Sequence, residues 1–337
     1  MTEYYTDIYI KDKYSFLGSD KYNPIVKESV NYFVNDYYME EKTIELAESK
    51  YQSITIDKLI EKHKKIDLLI SGDLQNQIMA STFSSANINI PFLGIYSACS
   101  TFTEGLIIAS NMIRNNKKNA IVSVSSHNLV SEKQFRFPVE YGALRKRVNT
   151  CTASGSVSAL ISNDKSNIKV ESSTIGVVCI TNHKDTNDMG SAMAPSCANT
   201  LYKHLTDTKR TPDYYDLILT GDLGIYGTKI MCEYFENISK MKLNNVIDSG
   251  SIFYSGKNIY AGASGPCCLP FILFDYIIPM KKYKKILIIG TGSLHSVISS
   301  NLKLPIPSIS HAVSLEVSYW IIYYLLCLAD LFVQYHK

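Results

Sequence analysis

Pro91 to Ser126 reads PFLGIYSACSTFTEGLIIASNMIRNNKKNAIVSVSS. The apolar run Phe92 to Tyr96 predicts a buried strand. It breaks at Ser97-Ala98-Cys99-Ser100-Thr101, where small residues allow a tight turn. Phe102, Leu106, Ala109 and Ile113 then recur at helical spacing. Thr101 with Glu104 has the capping-box pattern. Asn115-Asn116 suits a left-handed helix stop, and Ala120 to Val124 predicts a second buried strand. The unit is strand, turn, helix, strand, with Cys99 on the turn at the helix start.

That placement gives Cys99 a chemical meaning. The first N–H groups of a helix lack intrahelical partners and carry partial positive charge. They stabilise a thiolate, or an anion bound beside it. A nucleophile on a strand-to-helix elbow is a known catalytic arrangement. A buried cysteine acting as a small apolar residue is the plain alternative.

Outward from this unit the chain repeats itself. DLLISGDL at 67–74 recurs as DLILTGDL at 216–223, and the turn-helix-strand of 97–126 recurs loosely at 263–293. Two similar strand-helix halves predict one α/β architecture with pseudo-twofold symmetry. The Gly-Asp turns and elbows then converge at the interface between halves, at the carboxyl ends of strands, where such sheets bind ligands.

The remaining elements follow from pattern. A strand is predicted at Ile8 to Phe16 and helices at Glu40 to Ser49, Ile54 to Lys64 and Gln75 to Asn87. His127 to Gly142 reads as a polar loop fit to wall a site. Thr150 to Ile161 reads as one small-residue strand, with Gly155 at a close backbone approach. Helices are predicted at Ser196 to Leu205 and Gly227 to Ile238, and a strand at Lys285 to Gly290. Arg145-Lys146-Arg147 reads as a solvated basic cluster.

The 337 residues are 46% hydrophobic and 19% charged, with net charge +3, an ordinary globular balance that points to no nucleic-acid partner. The eight cysteines form no CxxC pair and no zinc spacing. With no apolar leader in MTEYYTDIYIKDKYSF, they read as reduced thiols inside a cell.

Duplicated α/β halves with a cysteine elbow resemble the thiolase and ketoacyl-synthase superfamily. Within it, SGDLQNQ at 71–77, IPFLGIYSACST at 90–101, SSHNLVSEKQFRFPVEYG at 125–142, DMGSAMAPS at 188–196, YYDLILTGDLG at 214–224 and AGASG at 261–265 resemble the stage V sporulation protein AD family. The resemblance implies a thiolase-like fold in α-β-α-β-α layers, with halves at 1–165 and 166–316. It implies binding of dipicolinic acid, as the calcium chelate, for uptake into the developing spore, without catalysis. It names no cofactor beyond that calcium. It also implies work beside the other membrane proteins of the family's operon, peripheral to the inner spore membrane, and a homodimer.

Loss of chemistry is written in the residues. Condensing enzymes of the superfamily pair the elbow cysteine with histidine, or histidine and asparagine, from the second half. Here those places hold Thr220-Gly221-Asp222 and Gly262-Ala263-Ser264-Gly265. His295 and His311 remain as substitutes or as structural residues. Acyl transfer with Cys99 as nucleophile stays open as the other reading.

For binding, the foremost candidates are Asp73 and Cys99, then Asn76, Gln77, His127, Glu132 and Arg136. Helix starts near Ser100 and Ser264 suit one carboxylate of the ligand, and Lys133 or Arg136 suits another oxygen. Asp73 and Asp222 suit a ligand that brings calcium, or they cap their helices. Pro266 and Pro270 disturb the second elbow. The tail VSYWIIYYLLCLADLFVQYHK, 317–337, departs from the family pattern. Its run Val317 to Gln334 has one charge, Asp330, and about 18 residues is the lower edge of a membrane span. It reads as an anchor, a terminal helix, or an ending replaced by a frame change or fusion.

Overall fold

A computed structural model of the chain describes residues 1–135, 145–256 and 259–319. The first half runs β1 (Tyr9–Leu17), α1 (Ile44–Lys62), β2 (Leu68–Gly72), α2 (Met79–Ser85), β3 (Phe92–Gly94), α3 (Thr101–Arg114), β4 (Asn119–Ser126), α4 (Asn128–Phe135) and β5 (Gly155–Ser162). The second runs β6 (Ile168–Thr174), α5 (Met189–Thr208), β7 (Leu217–Thr220), α6 (Gly224–Ser239), β8 (Val246–Asp248), α7 (Cys268–Ile272), β9 (Lys285–Ser293) and β10 (Pro307–Val317).

The strand order is β3-β2-β4-β5-β1 in one half and β8-β7-β9-β10-β6 in the other, the same path walked twice. In each, the strand of the repeated octapeptide lies parallel to both neighbours, β2 between β3 and β4, β7 between β8 and β9. In each, the next strand inward turns antiparallel. The halves join where β1 meets β6, Ile10 opposite Ile168.

Layering follows from where the apolar faces go. Phe102, Leu106, Ala109 and Ile113 are all buried, so α3 presents its predicted stripe to a core. That helix touches β4 and β5 on one side and β9 and β10 on the other. Two glycines permit the approach: a Cβ on Gly105 would lie 2.5 Å from Val122 Cγ1, and one on Gly290 would lie 2.2 Å from Thr103 Oγ1. The segment after α7 lies beside it, with the Phe102 and Phe274 rings edge to face at 5.9 Å. Helix α1 covers the outside of the first sheet and α5 with α6 the outside of the second. The result is α-β-α-β-α.

Several expectations change. The two helices predicted before residue 64 are one, α1, started by Thr43 Oγ1 accepting from Leu46 N–H. The stretch Gln75 to Asn87 is broken: Gln77 and Ile78 take left-handed φ of 55° and 50° before α2 begins. The run after Pro91 gives only three strand residues, half-exposed at a sheet edge. No capping box forms at Glu104; Thr101 Oγ1 accepts from Ser97 N–H (3.1 Å) and donates to Ala98 O (2.6 Å), bracing the elbow instead.

His127 to Phe135 is not a surface loop. Asn128 to Phe135 is α4, His127 leads into it, and His127, Asn128 and Ser131 are buried, while 136–144 lie outside the described residues. Thr150 to Ile161 is two strands, parted by Gly155 at φ 146°, where a Cβ would lie 2.2 Å from Phe16 O. Helix α5 starts earlier than expected, at Met189 after an Asp188 cap, and keeps Pro195 inside it. Pro270 falls in the first turn of α7, where its missing N–H has no helical partner to lose. Of the tail, Val317 ends β10 and Tyr319 donates to Tyr283 O (2.8 Å); residues 320–337, with Trp320 and Asp330, lie outside the described residues.

Candidate functional site

The first elbow is strained where it turns. Ala98 has φ 49°, unusual for a residue with a Cβ, and Cys99 follows at the start of α3 with 8% of its surface exposed. The second elbow comes up from the other half. Gly262–Ser264 pairs in parallel with Thr150–Thr152, and Gly265, at φ 105°, turns its N–H to the Asp222 carboxylate (Oδ2, 3.1 Å).

Asp222 is the junction. Its Oδ1 accepts from Thr291 Oγ1 (2.7 Å), and the Cys99 thiol lies against the carboxylate. Burial pushes the Asp222 pKa up to about 7, against the pull of these neighbours. Burial, then the Asp222 charge, holds the Cys99 thiol well above its ordinary value; the Gly265 N–H works weakly the other way. At neutral pH this sulfur is a thiol, whatever the helix start offers it.

Cys99 opens onto a cavity whose walls include Tyr96, Glu132, Phe135, Thr152, Ser264 and His295. It is narrow: water-sized molecules find about 40 Å³ in it. Past Leu74, Tyr96, Phe135 and His295 it adjoins a wider vestibule of about 360 Å³ that Asn76, Gln77, Gln134 and Ser296 line.

The structure therefore brings Cys99, Glu132 and Ser264 together in the cavity and Asn76 and Gln77 in the vestibule. The other named residues are held elsewhere. Asp73 is fully buried and accepts from the N–H groups of Gln75 and Ser81, both at 2.8 Å. Behind it, burial and the Asp73 charge push Glu48 up to about 8; Asp73 itself is raised by burial. Ser100 faces Thr103 (3.2 Å) beneath α3. His127 stacks on Tyr51 and donates from Nε2 to Tyr37 O (2.9 Å). Lys133 reaches out to Glu45 (2.7 Å) instead of inward. Asp222 lies behind Cys99 and does not line the cavity. Arg136 lies outside the described residues.

Of the two histidines held in reserve, His311 accepts from Gly176 N–H (3.2 Å), outside the cavity lining. His295 stands in both walls, its ring 5.2 Å from that of Phe135. Tyr96 and Phe135 were passed over in the sequence. Tyr96 stands three residues before Cys99, which was the available signal. Among the described residues, no group of three or more acidic, histidine or cysteine side chains is placed to hold a metal ion.

Residues 2–316 match the family described as stage V sporulation protein AD. The chain is similar to the stage V sporulation protein AD of Bacillus subtilis, 34% identical over 291 residues, covering 84% of this chain and 86% of that protein. Among solved structures, a cerulenin-bound Xanthomonas campestris OleA superposes with a TM-score of 0.60 at 13% identity, over 94% of this chain and 98% of that one. The 3-oxoacyl-[acyl-carrier-protein] synthase III of Aquifex aeolicus gives 0.54 at 14% identity, over 92% and 99%. At these identities the two structures establish the thiolase-like fold.

Proposed function

The chain belongs to the stage V sporulation protein AD family, and from that premise we propose that it is a binding protein on a thiolase-like frame, with dipicolinate as its ligand. The observation that carries this reading is the Asp222 carboxylate against the Cys99 thiol. Covalent acyl chemistry needs a thiolate, a group to take and return its proton, and free donors for the oxyanion. Here the partner is an anion that opposes the thiolate, and it occupies the Gly265 N–H as well.

Dipicolinate is a flat aromatic dianion. The slot at Cys99 is too narrow for the whole ligand, so the ring sits in the wider vestibule beside Tyr96 and Phe135, with one carboxylate reaching into the slot toward the hydroxyls of Thr152, Ser264 and Ser293. Calcium, in this reading, is cargo held by the ligand's own oxygens and ring nitrogen. The protein works as a homodimer at the inner membrane of the developing spore, beside the membrane proteins of its operon. Among the described residues no helix is long and apolar enough to cross a membrane.

The test is calorimetric titration of the full chain with dipicolinate, with and without calcium. Saturable heat that falls at least about tenfold in affinity in Cys99→Phe, which fills the slot, supports the reading. No heat from a demonstrably folded protein removes it. One observation favours a second reading, acyl transfer through Cys99: His295 shares its cavity. Mass-spectrometric detection of an acyl group on Cys99 after incubation with acyl-coenzyme A would establish that alternative.

A further inference from the structure

Among the described residues, the walls of the site are short of positive charge for an anion. Among the described residues lining the cavity, one carries a permanent charge, Glu132, and its carboxylate meets Arg145 at 2.8 Å. Among the described residues, the vestibule lining contains no lysine, arginine, aspartate or glutamate. Lys133, the nearest lysine in sequence, is turned away onto Glu45. His295 lines both spaces, and among the described residues no other in either lining can become a cation near neutral pH.

The ring is set up for that role. It follows β9, with Nδ1 2.9 Å from Ser293 Oγ and one face against Phe135. Among the described residues Nε2 has no hydrogen-bond partner, although the side chain is largely buried. Burial lowers the His295 pKa, so the empty site keeps the imidazole neutral. An anion within about 4–6 Å reverses that preference.

We propose that His295 supplies the positive charge of this site, taking a proton from solvent as an anionic ligand enters and donating from Nε2 to it. This rests on the ligand being an anion, as proposed above. The balance is simple: neutral imidazole, one proton and the dianion give imidazolium paired with the dianion, and no bond is made or broken in the ligand. The other ionisable groups around the ring are the Cys99 thiol from the start of α3, Tyr96 from the end of the β3 segment, and Glu132 with Arg145 from α4 and beyond. Asp222 lies behind Cys99, and Asp73 with Glu48 lies behind Gln75.

The experiment is calorimetry of the full chain with sodium dipicolinate at about pH 7.5, in phosphate and in Tris, whose ionisation heats differ. The difference in observed heat counts protons. Wild type is expected to take up close to one proton per ligand, and affinity to fall up to about tenfold per pH unit above neutrality. In His295→Gln the uptake disappears and affinity drops about tenfold or more. Binding with no proton uptake in wild type overturns the inference while leaving the ligand reading in place. So does uptake that persists in His295→Gln and vanishes in Asp222→Asn or Glu48→Gln. No binding by folded wild type removes the ligand reading and this inference with it.

Discussion

Asp73, at the end of β2, accepts from the N–H groups of Gln75 in its own turn and Ser81 in the helix that follows, α2. Asp222, at the end of β7, accepts from Thr291 and Gly265 and lies against the Cys99 thiol, and these three come from three other elements. Both close the same octapeptide on the same strand of the same topology. One copy serves its own half; the other ties two strands of its half to the elbow of the opposite half. The difference teaches that a duplicated frame can keep its geometry while one copy of a motif is turned to the interface. A carboxylate there, beside a buried thiol, decides what that thiol can do.

The largest test of this contrast is pH-dependent stability. The Asp222 pKa is about 7 in the folded protein, above the unfolded value near 3.8. A raised carboxyl contributes stability that is fully present below its unfolded pKa and is lost as pH climbs through the folded one. Asp222→Asn removes that dependence. Its cost, from urea denaturation, is expected to be roughly 2.5 kcal/mol greater at about pH 5 than at about pH 8. A cost that does not change with pH would break the picture of a buried, interface-held carboxyl. Asp73→Asn, measured alongside, is expected to lose about 1 kcal/mol or more at either pH, because a backbone N–H loses its acceptor, and, since burial raises Asp73 too, to show a pH dependence of the same sign.

Next in size is the reactivity of Cys99. Removing the Asp222 charge lowers the thiol pKa and so raises the thiolate fraction. Iodoacetamide labelling of Cys99, followed by mass spectrometry near pH 8, should therefore rise by up to about tenfold in Asp222→Asn. It should stay at the wild-type rate in Asp73→Asn. Equal acceleration in both would mean that the elbow is loosened generally and that Asp222 has no particular hold on the sulfur.

What could be read in advance follows the same division. Small residues between an apolar run and a helical stripe located Cys99, and paired aspartates on two strands exposed the duplication. Polar residues inside the core defeated the rest. Gln52 falls in the gap between the two predicted helices, yet it is buried and its amide donates to Ser71 Oγ (2.8 Å), so α1 runs through it. His127 looked like a loop residue because its partners, Tyr37 and Tyr51, are far away in sequence. The direction of Lys133 depends on Glu45, equally remote. His127 and His295 follow corresponding strands, β4 and β9, in similar serine-rich contexts. Only the packing of Phe135 and the opening of the cavity set them apart, and neither is a local property of the chain.

The first aspartate of each octapeptide is where the halves still agree, and it gives the smallest test. Asp67 Oδ2 accepts from the N–H groups of Lys118 (2.7 Å) and Asn119 (3.1 Å). Asp216 Oδ2 accepts from those of Lys284 (2.7 Å) and Lys285 (2.9 Å). The Lys118 and Asn119 donors lower the Asp67 pKa, so its contribution is present at neutral pH and is lost as acid carries it through that lowered value. Both carboxylates share their donors with solvent, which keeps the worth of each pair small. Asp67→Ala and Asp216→Ala are each expected to cost roughly 0.5–1 kcal/mol in urea denaturation, within about 0.5 kcal/mol of one another, and to add in the double variant. Equal costs would confine the divergence of the halves to the strand ends that face the cavity. A clear inequality would mean that the second half has been reshaped along its whole length, and that Asp222 is one consequence of that change among many.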